Sequence, residues 1–393
     1  MFVAGVLLMT LFGAFTWRME SVRRMDLAAR VAIAFACGVV VGGVVMFAYS
    51  VIGIPWQRWT LAIPLVLAAA LWRRDAARPA GGTPALLIFV LLTIYGVATA
   101  RETTGDLLYF WGPKAQRFFL ESRIDVGFLQ FPHYYLMHPD YPPLQTLIYS
   151  WGAIAAHRFS WWGALYLTPV FLLASVLVFR GYSRNKGFAI LLAAVLAYGI
   201  GSARSAGGAD PLLYLFEVIA LCALTFDDDS AIASIALTGA VLTKVEGAAF
   251  AIVVLVALVI TRRIRALKVF AAPALALGAW ILFAKHHGLL DAYARGKSTL
   301  HFEQLGMVVK RTLGAFILPW IAAIAPLTLG RNWKRAALPL LVAAGTLAYT
   351  IFFYLHEADP AFWIKTSAER VLLTTVIALI VAGAAASSDE NVC

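Results

Sequence analysis

The sequence predicts an all-α protein, a polytopic transmembrane bundle of about 13 helices with interfacial helices in a long outer loop. Of its 393 residues, 62% are hydrophobic and 13% are charged, whereas a soluble domain carries about a quarter charged residues. Apolar stretches of about 17 to 20 residues recur along the whole chain. Basic residues cluster in short loops between these stretches, so the net charge of +11 indicates membrane orientation and not nucleic acid binding.

Each apolar stretch is interpreted as one span. The predicted spans are 2–17, 31–54, 60–72, 84–100, 161–179, 187–203, 211–226, 231–243, 247–260, 269–284, 313–329, 336–354 and 371–386. No basic residue precedes the first of them, so we expect a span there and not a cleaved signal peptide. The stretch 73–84, rich in Arg, Ala, Pro and Gly, separates three accessory N-terminal helices, residues 1–83, from a larger core, residues 84–393, with an outer loop at 101–160.

Loop charge predicts which ends of the spans face the cytoplasm. Residues 143–157 are apolar enough for another crossing, but we interpret them as a half-buried helix on the outer side. With that placement, 17 of the 32 basic residues fall in five short loops on one side, as is typical of cytoplasmic loops. All seven histidines then lie outside, which gathers residues suited to acid–base chemistry on the outer face.

Several common kinds of site are missing from the sequence. Three cysteines, two of them inside apolar segments, provide neither a disulfide framework nor a CxxC metal site. No phosphate-binding glycine loop, nucleophile elbow or zinc motif occurs. His286, His287, Asp291 and His301 offer metal ligands, but their spacing fits no specific pattern and favours solvated loop residues. No metal ligand is therefore assigned.

The richest polar segment begins at Asp106, directly after a predicted span. Residues 109–111 form an aromatic belt, and apolar residues at helical spacing predict an amphipathic helix over 106–122. A carboxylate partly withdrawn from water at this junction is suited to act as a general base toward a hydroxyl. The alternative is that Asp106 only caps the helix.

A second segment, His138-Pro139-Asp140-Tyr141-Pro142-Pro143, cannot be helical through its prolines. We interpret it as a rigid turn that returns the chain toward the membrane. A purely structural elbow and a substrate-binding role are equally compatible with this pattern.

Acidic residues also mark a later predicted span. Asp210 begins it, with Arg204 shortly before and Pro211 directly after, which is also the pattern of an ordinary helix N-terminus. Glu217 lies two helical turns further on the same face. It is the one acid placed within a predicted span, and an intramembrane carboxylate is a functional candidate that faces a cavity.

Two basic positions complete the set of candidates. Lys244 and Glu246 interrupt an apolar run, where charge is costly unless it faces water, a partner or an anionic ligand. We favour an anion site at Lys244 over a structural pair. In the last outer loop, Lys365 and Arg370 lie at a helix start, and Arg370 is able either to bind phosphate through its bidentate fork or to pair with Glu369.

Together these segments resemble the GT-C superfamily of membrane glycosyltransferases, in particular bacterial relatives of the protein mannosyltransferase and aminoarabinose transferase families. The matching pieces, in order from about residue 100 to 372, are Asp106 with Trp111 and Lys114-Ala115, His138-Pro139-Asp140-Tyr141-Pro142-Pro143-Leu144, Ala209-Asp210-Pro211, Leu242-Thr243-Lys244-Val245-Glu246-Gly247 and Thr366-Ser367-Ala368-Glu369-Arg370. The sequence departs from the family in its lone Asp106, where many members have an adjacent acid, and in its three extra N-terminal helices.

The resemblance implies a GT-C-like fold and a role for each candidate. Asp106 would be the catalytic base, with Glu102 one turn earlier as a substitute for the missing acid. The residues implied in binding the lipid phosphate are Lys244, Arg370, Arg204 and Lys365. The residues implied in binding the substrate are Glu102, Trp111, Lys114, His138, Asp140, Tyr141, Asp210, Glu217 and Glu246.

The implied activity is an inverting transfer of a monosaccharide from a polyprenyl-phosphate donor to a hydroxyl of a glycan, lipid or protein acceptor. It would take place on the periplasmic face of the bacterial inner membrane. The reaction requires no cofactor, and a divalent metal is compatible with it. The alternatives are a polytopic transporter or flippase, and a ligase or polymerase of lipid-linked glycans.

Overall fold

The computed structural model describes residues 2–70, 105–131, 138–202, 206–290, 300–357 and 359–388, and its regular elements there are all helices. The longer helices are α1 Phe2–Phe12, α2 Leu27–Val51, α3 Arg58–Ala70, α4 Gly112–Glu121, α5 Leu144–Ala156, α6 Trp161–Ser183, α7 Lys186–Ser202, α8 Asp210–Cys222, α9 Ser230–Thr243, α10 Val245–Ile260, α11 Ala271–His286, α12 Leu305–Gly314, α13 Ile317–Ile324, α14 Trp333–Leu355 and α15 Pro360–Ala386. The shorter helical segments are Ala14–Arg18, Glu20–Arg23, Leu107–Trp111, Val126–Leu129, Ala223–Asp227, Ile264–Phe270, Phe302–Gln304 and Ala325–Leu329. The all-α prediction is confirmed.

Fewer helices than predicted are long enough to cross a membrane. In the described residues, 5 helices have the necessary length and apolar composition: Leu27–Val51, Trp161–Ser183, Ile264–His286, Trp333–Leu355 and Pro360–Ala386. Apolar helices such as α9 and α10 have only 14 and 16 residues, whereas a straight span needs about 20. The chain is a helical membrane protein, and the number of about 13 spans is not confirmed. The predicted span 84–100 and the boundary at residue 83 lie outside the described residues.

The predicted span 313–329 is divided by a bend. Helical segments Phe302–Gly314 and Ile317–Thr328 meet at 70°, and they make a sixth candidate span only if they are counted together. Pro319 lies in the first turn of α13. Proline has no N–H to donate to the carbonyl of Ala315, and its ring crowds that carbonyl, so a helix that restarts here costs less than one that continues.

The leading helices pack directly on later ones. A Cβ atom added to Gly38 of α2 would lie 1.7 Å from the carbonyl oxygen of Met9 in α1, so this crossing requires glycine. One turn earlier in α2, the ring of Phe35 stacks on Phe171 of α6 with centroids 6.0 Å apart. Helices α1 and α2 therefore share one hydrophobic core with the helices that carry the candidate site.

The amphipathic helix predicted over 106–122 is present, as a π-helical turn at Leu107–Trp111 that continues into α4. Its apolar face, which includes Phe118, packs on α5, and Ser150 of α5 donates a hydrogen bond to the carbonyl of Ala115 at 3.0 Å. With 13 residues, α5 is shorter than a span. Most of α5 is buried within the protein, so the prediction that it is half-buried is wrong.

Candidate functional site

Five charged side chains from distant parts of the sequence form a chain of ion pairs, which we call the ion-pair chain. Arg370 Nη1 lies 2.7 Å from Asp106 Oδ2 and 3.6 Å from Asp210 Oδ2. Lys244 Nζ lies 3.0 Å from Asp210 Oδ1 and 2.9 Å from Glu246 Oε1. The order along the chain is Asp106, Arg370, Asp210, Lys244 and Glu246, with acids and bases alternating.

Helix ends position most of these side chains. Asp106 lies next to the π-helical turn that opens the outer helix, and Asp210 is the first residue of α8. Lys244 lies in extended conformation between α9 and α10. The turn there is tight, because a Cβ atom added to Gly247 would lie 1.9 Å from the carbonyl oxygen of Ala240. Small residues at this corner therefore aim Lys244 toward the N-terminus of α8.

The ion-pair chain is buried in its middle and more accessible at its ends. The side chains of Asp210 and Lys244 are 5% and 9% exposed, whereas those of Asp106 and Glu246 are each 25% exposed. Three acids and two bases give the ion-pair chain a net formal charge of −1. The two accessible ends of the ion-pair chain are both carboxylates. A ligand that enters the site can therefore reach Asp106.

Some polar atoms of the ion-pair chain have no hydrogen-bond partner among the described residues. They are Asp210 Oδ2, Glu246 Oε2 and Arg370 Nε, all buried. A buried donor or acceptor without a partner costs free energy, so these atoms favour a ligand that supplies the missing hydrogen bonds. Arg370 uses one nitrogen of its planar fork for Asp106 and keeps a second donor available.

The local interpretations of these residues are replaced by long-range pairs. Asp106 makes no capping hydrogen bond from its side chain, so the capping alternative is wrong for it, whereas Asp210 does lie at a helix N-terminus, as the first residue of α8. Arg370 pairs with Asp106 and Asp210 and not with Glu369. Lys244 is held by two acids, as expected of a structural pair, and an anion site there stays a prediction.

The segment predicted to be a rigid turn is one, and we call it the aromatic elbow, residues 138–143. His138 has a left-handed backbone with φ of 49°, and its carbonyl accepts a hydrogen bond from the amide of Tyr141 at 3.1 Å. The two rings stack with centroids 4.4 Å apart, and Trp111 lies 6.0 Å from Tyr141. Trp280 of α11 donates to the carbonyl of Asp140 at 3.0 Å, which fixes the elbow against the bundle.

Lys114 joins the outer helix to the aromatic elbow. Its Nζ atom lies 3.3 Å from the carbonyl oxygen of His138 and 4.3 Å from the centre of the Trp111 ring, and the residue is 3% exposed. Burial lowers the pKa of Lys114 to about 7, although the nearby charge of Asp140 opposes this effect. A buried amine in this state is a hydrogen-bonding group more than a permanent charge.

The aromatic elbow and the ion-pair chain are adjacent. Burial, together with the positive charges of Lys114 and Lys244, lowers the pKa of His138 to about 4. Lys244 is therefore close enough to act on the His138 ring. The two groups form one candidate site, which lies between the outer helix, the elbow and the ends of α8 and α9.

Glu217 is fully buried, 1% exposed, at the inner side of this site. The hydroxyl of Thr374 in α15 lies 3.0 and 2.9 Å from its two carboxylate oxygens. Sequence reasoning missed Thr374, and it also missed Tyr214, whose hydroxyl donates to the carbonyl of Arg370 at 2.7 Å. Helical spacing could have found both. Thr374 lies four residues after Arg370, and Tyr214 lies four residues after Asp210, in each case on the same helix.

Some predicted residues are not brought to this site. Lys365 is exposed, and in the described part of the chain it has no hydrogen bond or ion pair with the ion-pair chain. Glu102 and Arg204 lie outside the described residues. Among the residues that the structure describes, no group of three or more His, Cys, Asp or Glu side chains is arranged to hold a metal ion.

A small apolar crevice lies beside the aromatic elbow. It is lined by Gly43, Phe47, Pro143, Leu144, Leu147, Leu242 and Trp280. Leu242 precedes the helix break at Lys244 by two residues, and Pro143 ends the elbow. The crevice therefore adjoins the charged part of the site.

Comparison with known proteins adds no further assignment. No protein-family model, no curated protein and no solved structure matches this chain.

Proposed function

We propose that the protein is an inverting glycosyltransferase that moves a monosaccharide from a polyprenyl-phosphate donor to an acceptor hydroxyl on the outer face of the membrane. The observation that carries the proposal is the ion-pair chain. It offers an accessible carboxylate, Asp106, next to two cations of the kind that hold a phosphate, Arg370 and Lys244.

Each group has a chemical role in this proposal. The acceptor oxygen forms a bond to the anomeric carbon from the side opposite the phosphate, and its proton passes to a carboxylate oxygen of Asp106. The bond between the anomeric carbon and the phosphate oxygen breaks, and the electron pair leaves with the phosphate. Arg370 and Lys244 stabilise the charge that develops on that phosphate.

The surroundings of the ion-pair chain support a sugar linked to a lipid. The rings of the aromatic elbow provide apolar faces, and Lys114 holds them to the outer helix at 3.3 Å. The side chains around the adjacent crevice are apolar, as contact with a lipid chain requires. A phosphate between the two would lie near Lys244, at the end of α9.

The test is transfer of radiolabelled sugar from a panel of synthetic polyprenyl-phosphate monosaccharides to membrane extract by the purified, reconstituted protein. Asp106→Asn is expected to lower the rate by about 10²- to 10⁴-fold, the usual contribution of a general base. The matched control is Asp125→Asn, which removes another carboxylate of the same outer segment, one paired with Arg117 at 2.6 Å. It is expected to leave the rate within about twofold of the wild type.

Two results would contradict this proposal. Equal transfer by the wild type and Asp106→Asn would move the base to Asp210 or Glu102. An absence of transfer from every donor by a stable, folded protein would reject the glycosyltransferase. A ligase or polymerase of lipid-linked glycans would instead accept only donors that carry an oligosaccharide.

A flippase or transporter for an anionic lipid is the second candidate. The buried carboxylate of Glu217 and the helix break at Lys244 favour it, because both features occur in transport pathways. This function predicts that reconstituted protein moves a fluorescent polyprenyl phosphate between leaflets. Glu217→Gln would then abolish movement, whereas a glycosyltransferase would not move the lipid at all.

A further inference from the structure

The resting ion pair between Arg370 and Asp106 raises a chemical problem for a base at Asp106. The guanidinium binds Oδ2 of the carboxylate at 2.7 Å, and its positive charge opposes the uptake of a proton there. The same nitrogen also lies 3.6 Å from Asp210. One cationic nitrogen is thus shared by two acids, while Nε of the same side chain has no hydrogen-bond partner.

We propose that Arg370 exchanges counter-ions: it leaves Asp106 for the phosphate of the bound donor, so that donor binding itself releases the base. This inference rests on the proposed function for the identity of the donor. It assigns Arg370 a second role: in the empty site, its ion pair with Asp106 keeps that carboxylate from acting as a base. The ligand chemistry is a phosphate ester, carried by a lipid or free.

Geometry favours the exchange because Arg370 is only partly used by Asp106. A phosphate accepts two parallel hydrogen bonds from the guanidinium fork, from Nη and Nε, and such bidentate pairs are stronger than single contacts. Asp106 is bonded through Nη1 alone. The Nε atom is unpartnered and buried while Nη1 holds Asp106, so an entering phosphate reaches the fork of Nε and Nη2 only if the side chain turns, and turning breaks the contact with Asp106.

Lys244 is less suited to this exchange. It is bonded to two acids, Asp210 and Glu246, and its side chain is 9% exposed, compared with 19% for Arg370. A phosphate that displaces Asp210 from Lys244 breaks a buried pair, and one that displaces Glu246 must still reach an ammonium group whose other partner is buried. Arg370 gives up a carboxylate that is 25% exposed and that water can solvate.

Charge couples the exchange to proton transfer. The ion-pair chain already has a net formal charge of −1, and a phosphate adds further negative charge close to Asp106. Once Arg370 has moved, the carboxylate has lost its counter-ion and faces a new anion, and both changes favour uptake of a proton. Asp106 therefore becomes a stronger base when the donor is in place, and it is held inactive when the site is empty.

The test is a binding experiment with no sugar and no acceptor present. The dissociation constant of farnesyl phosphate is measured for the wild type, Asp106→Asn, Arg370→Gln and the double variant, all purified in detergent micelles. Asp106→Asn is expected to bind about five-fold more tightly than the wild type, because it removes a competing partner of Arg370. Arg370→Gln is expected to bind at least about ten-fold more weakly.

The double variant separates exchange from simple repulsion. If Asp106 competes for Arg370, Asp106→Asn has no effect in the Arg370→Gln background, and the coupling in the double-mutant cycle is large. If Asp106 only repels the phosphate, the five-fold gain persists in that background and the proposal is wrong. If Arg370→Gln does not fold, Arg370→Lys replaces it. Lysine lacks the guanidinium fork, so the gain in affinity from Asp106→Asn must be at least twofold smaller in that background.

The remaining outcomes also decide the question. The same measurements with inorganic phosphate in place of farnesyl phosphate distinguish a free anion from a lipid headgroup. An increase in affinity from Asp106→Asn that depends on Arg370 supports the exchange with either probe. An unchanged or weakened affinity of Asp106→Asn for both probes overturns it. Asp125→Asn, with the wild-type affinity, is the control. Failure of sugar transfer would reject the glycosyltransferase but not the exchange, because this measurement involves no transfer.

Discussion

Replacement of Lys114 by methionine is expected to stabilise the protein, most strongly below neutral pH. Burial lowers the pKa of this amine from 10.5 to about 7 in the folded state. Between these two values the unfolded chain binds a proton that the folded chain does not, so wild-type stability rises with pH in this range and is lowest at and below about pH 7. At about 1.4 kcal/mol for each pH unit, the full penalty is on the order of 5 kcal/mol.

Methionine has a similar length and no charge to desolvate, so Lys114→Met removes the penalty. The variant loses the hydrogen bond to the His138 carbonyl, which costs about 1 kcal/mol. Near pH 8 the penalty that remains in the wild type is about 3 kcal/mol, which leaves a net gain of roughly 2 kcal/mol. At pH 10.5 the gain disappears.

The assay is thermal unfolding in detergent micelles between pH 6.5 and 10, with the midpoint Tm recorded for both proteins. The advantage of Lys114→Met is expected to be largest near pH 7 and to fall toward zero as the pH rises, at roughly 2 °C for each kcal/mol. Lys285→Met, which removes an exposed amine at the end of α11, is the control and is expected to give a constant difference in Tm. Parallel curves for Lys114→Met and wild type would refute the reasoning, because they would mean that burial does not perturb the amine.

Two further predictions test the packing around the site. Gly247→Ala is expected to lower Tm by the equivalent of about 1 to 3 kcal/mol, because its Cβ atom would lie 1.9 Å from a backbone oxygen. Gly278→Ala, in an open part of α11, is expected to leave Tm unchanged or to raise it slightly, and equal losses in both variants would contradict the close approach at Gly247. Thr374→Val is expected to cost about 1.5 to 3 kcal/mol, since it removes the hydroxyl bonded to the buried carboxylate of Glu217. The check is to measure the free energy of unfolding of Thr374→Val in the Glu217→Leu background. If Thr374→Val costs as much stability there, the hydroxyl does not act through Glu217.

The apolar stretches predicted that the protein is helical. They predicted less well which helices are long enough to cross a membrane. A pattern of apolar residues indicates that a helix is buried, but protein and lipid bury the same side chains. Helix α5 shows this clearly, since neighbouring helices cover it almost completely. The bend before α13 was equally hidden, because Pro319 lies within an unbroken apolar run, and only its position in the first turn reveals that the helix restarts there.

The candidate residues were found by their type, whereas their partners were not. A carboxylate next to a span suggested Asp106, but local reasoning assigned it to the helix on which it lies. Its partner Arg370 is 264 residues away, and no spacing rule connects them. The same holds for Lys244 and Asp210, separated by 34 residues. Five of the candidates meet in the ion-pair chain, and their roles in sugar transfer stay predictions.

Alternating charge explains how a membrane protein holds so many ionised groups at a partly buried site. An isolated charge in this position is costly, and each member of the ion-pair chain is bonded to at least one opposite charge. In the proposed exchange, an anionic ligand takes the place of one of these partners. The accessible pair of Asp106 and Arg370 is where replacement costs least, because water can solvate the released carboxylate. The proposal therefore derives both stability in the empty state and release of a base in the occupied state from one arrangement of charges.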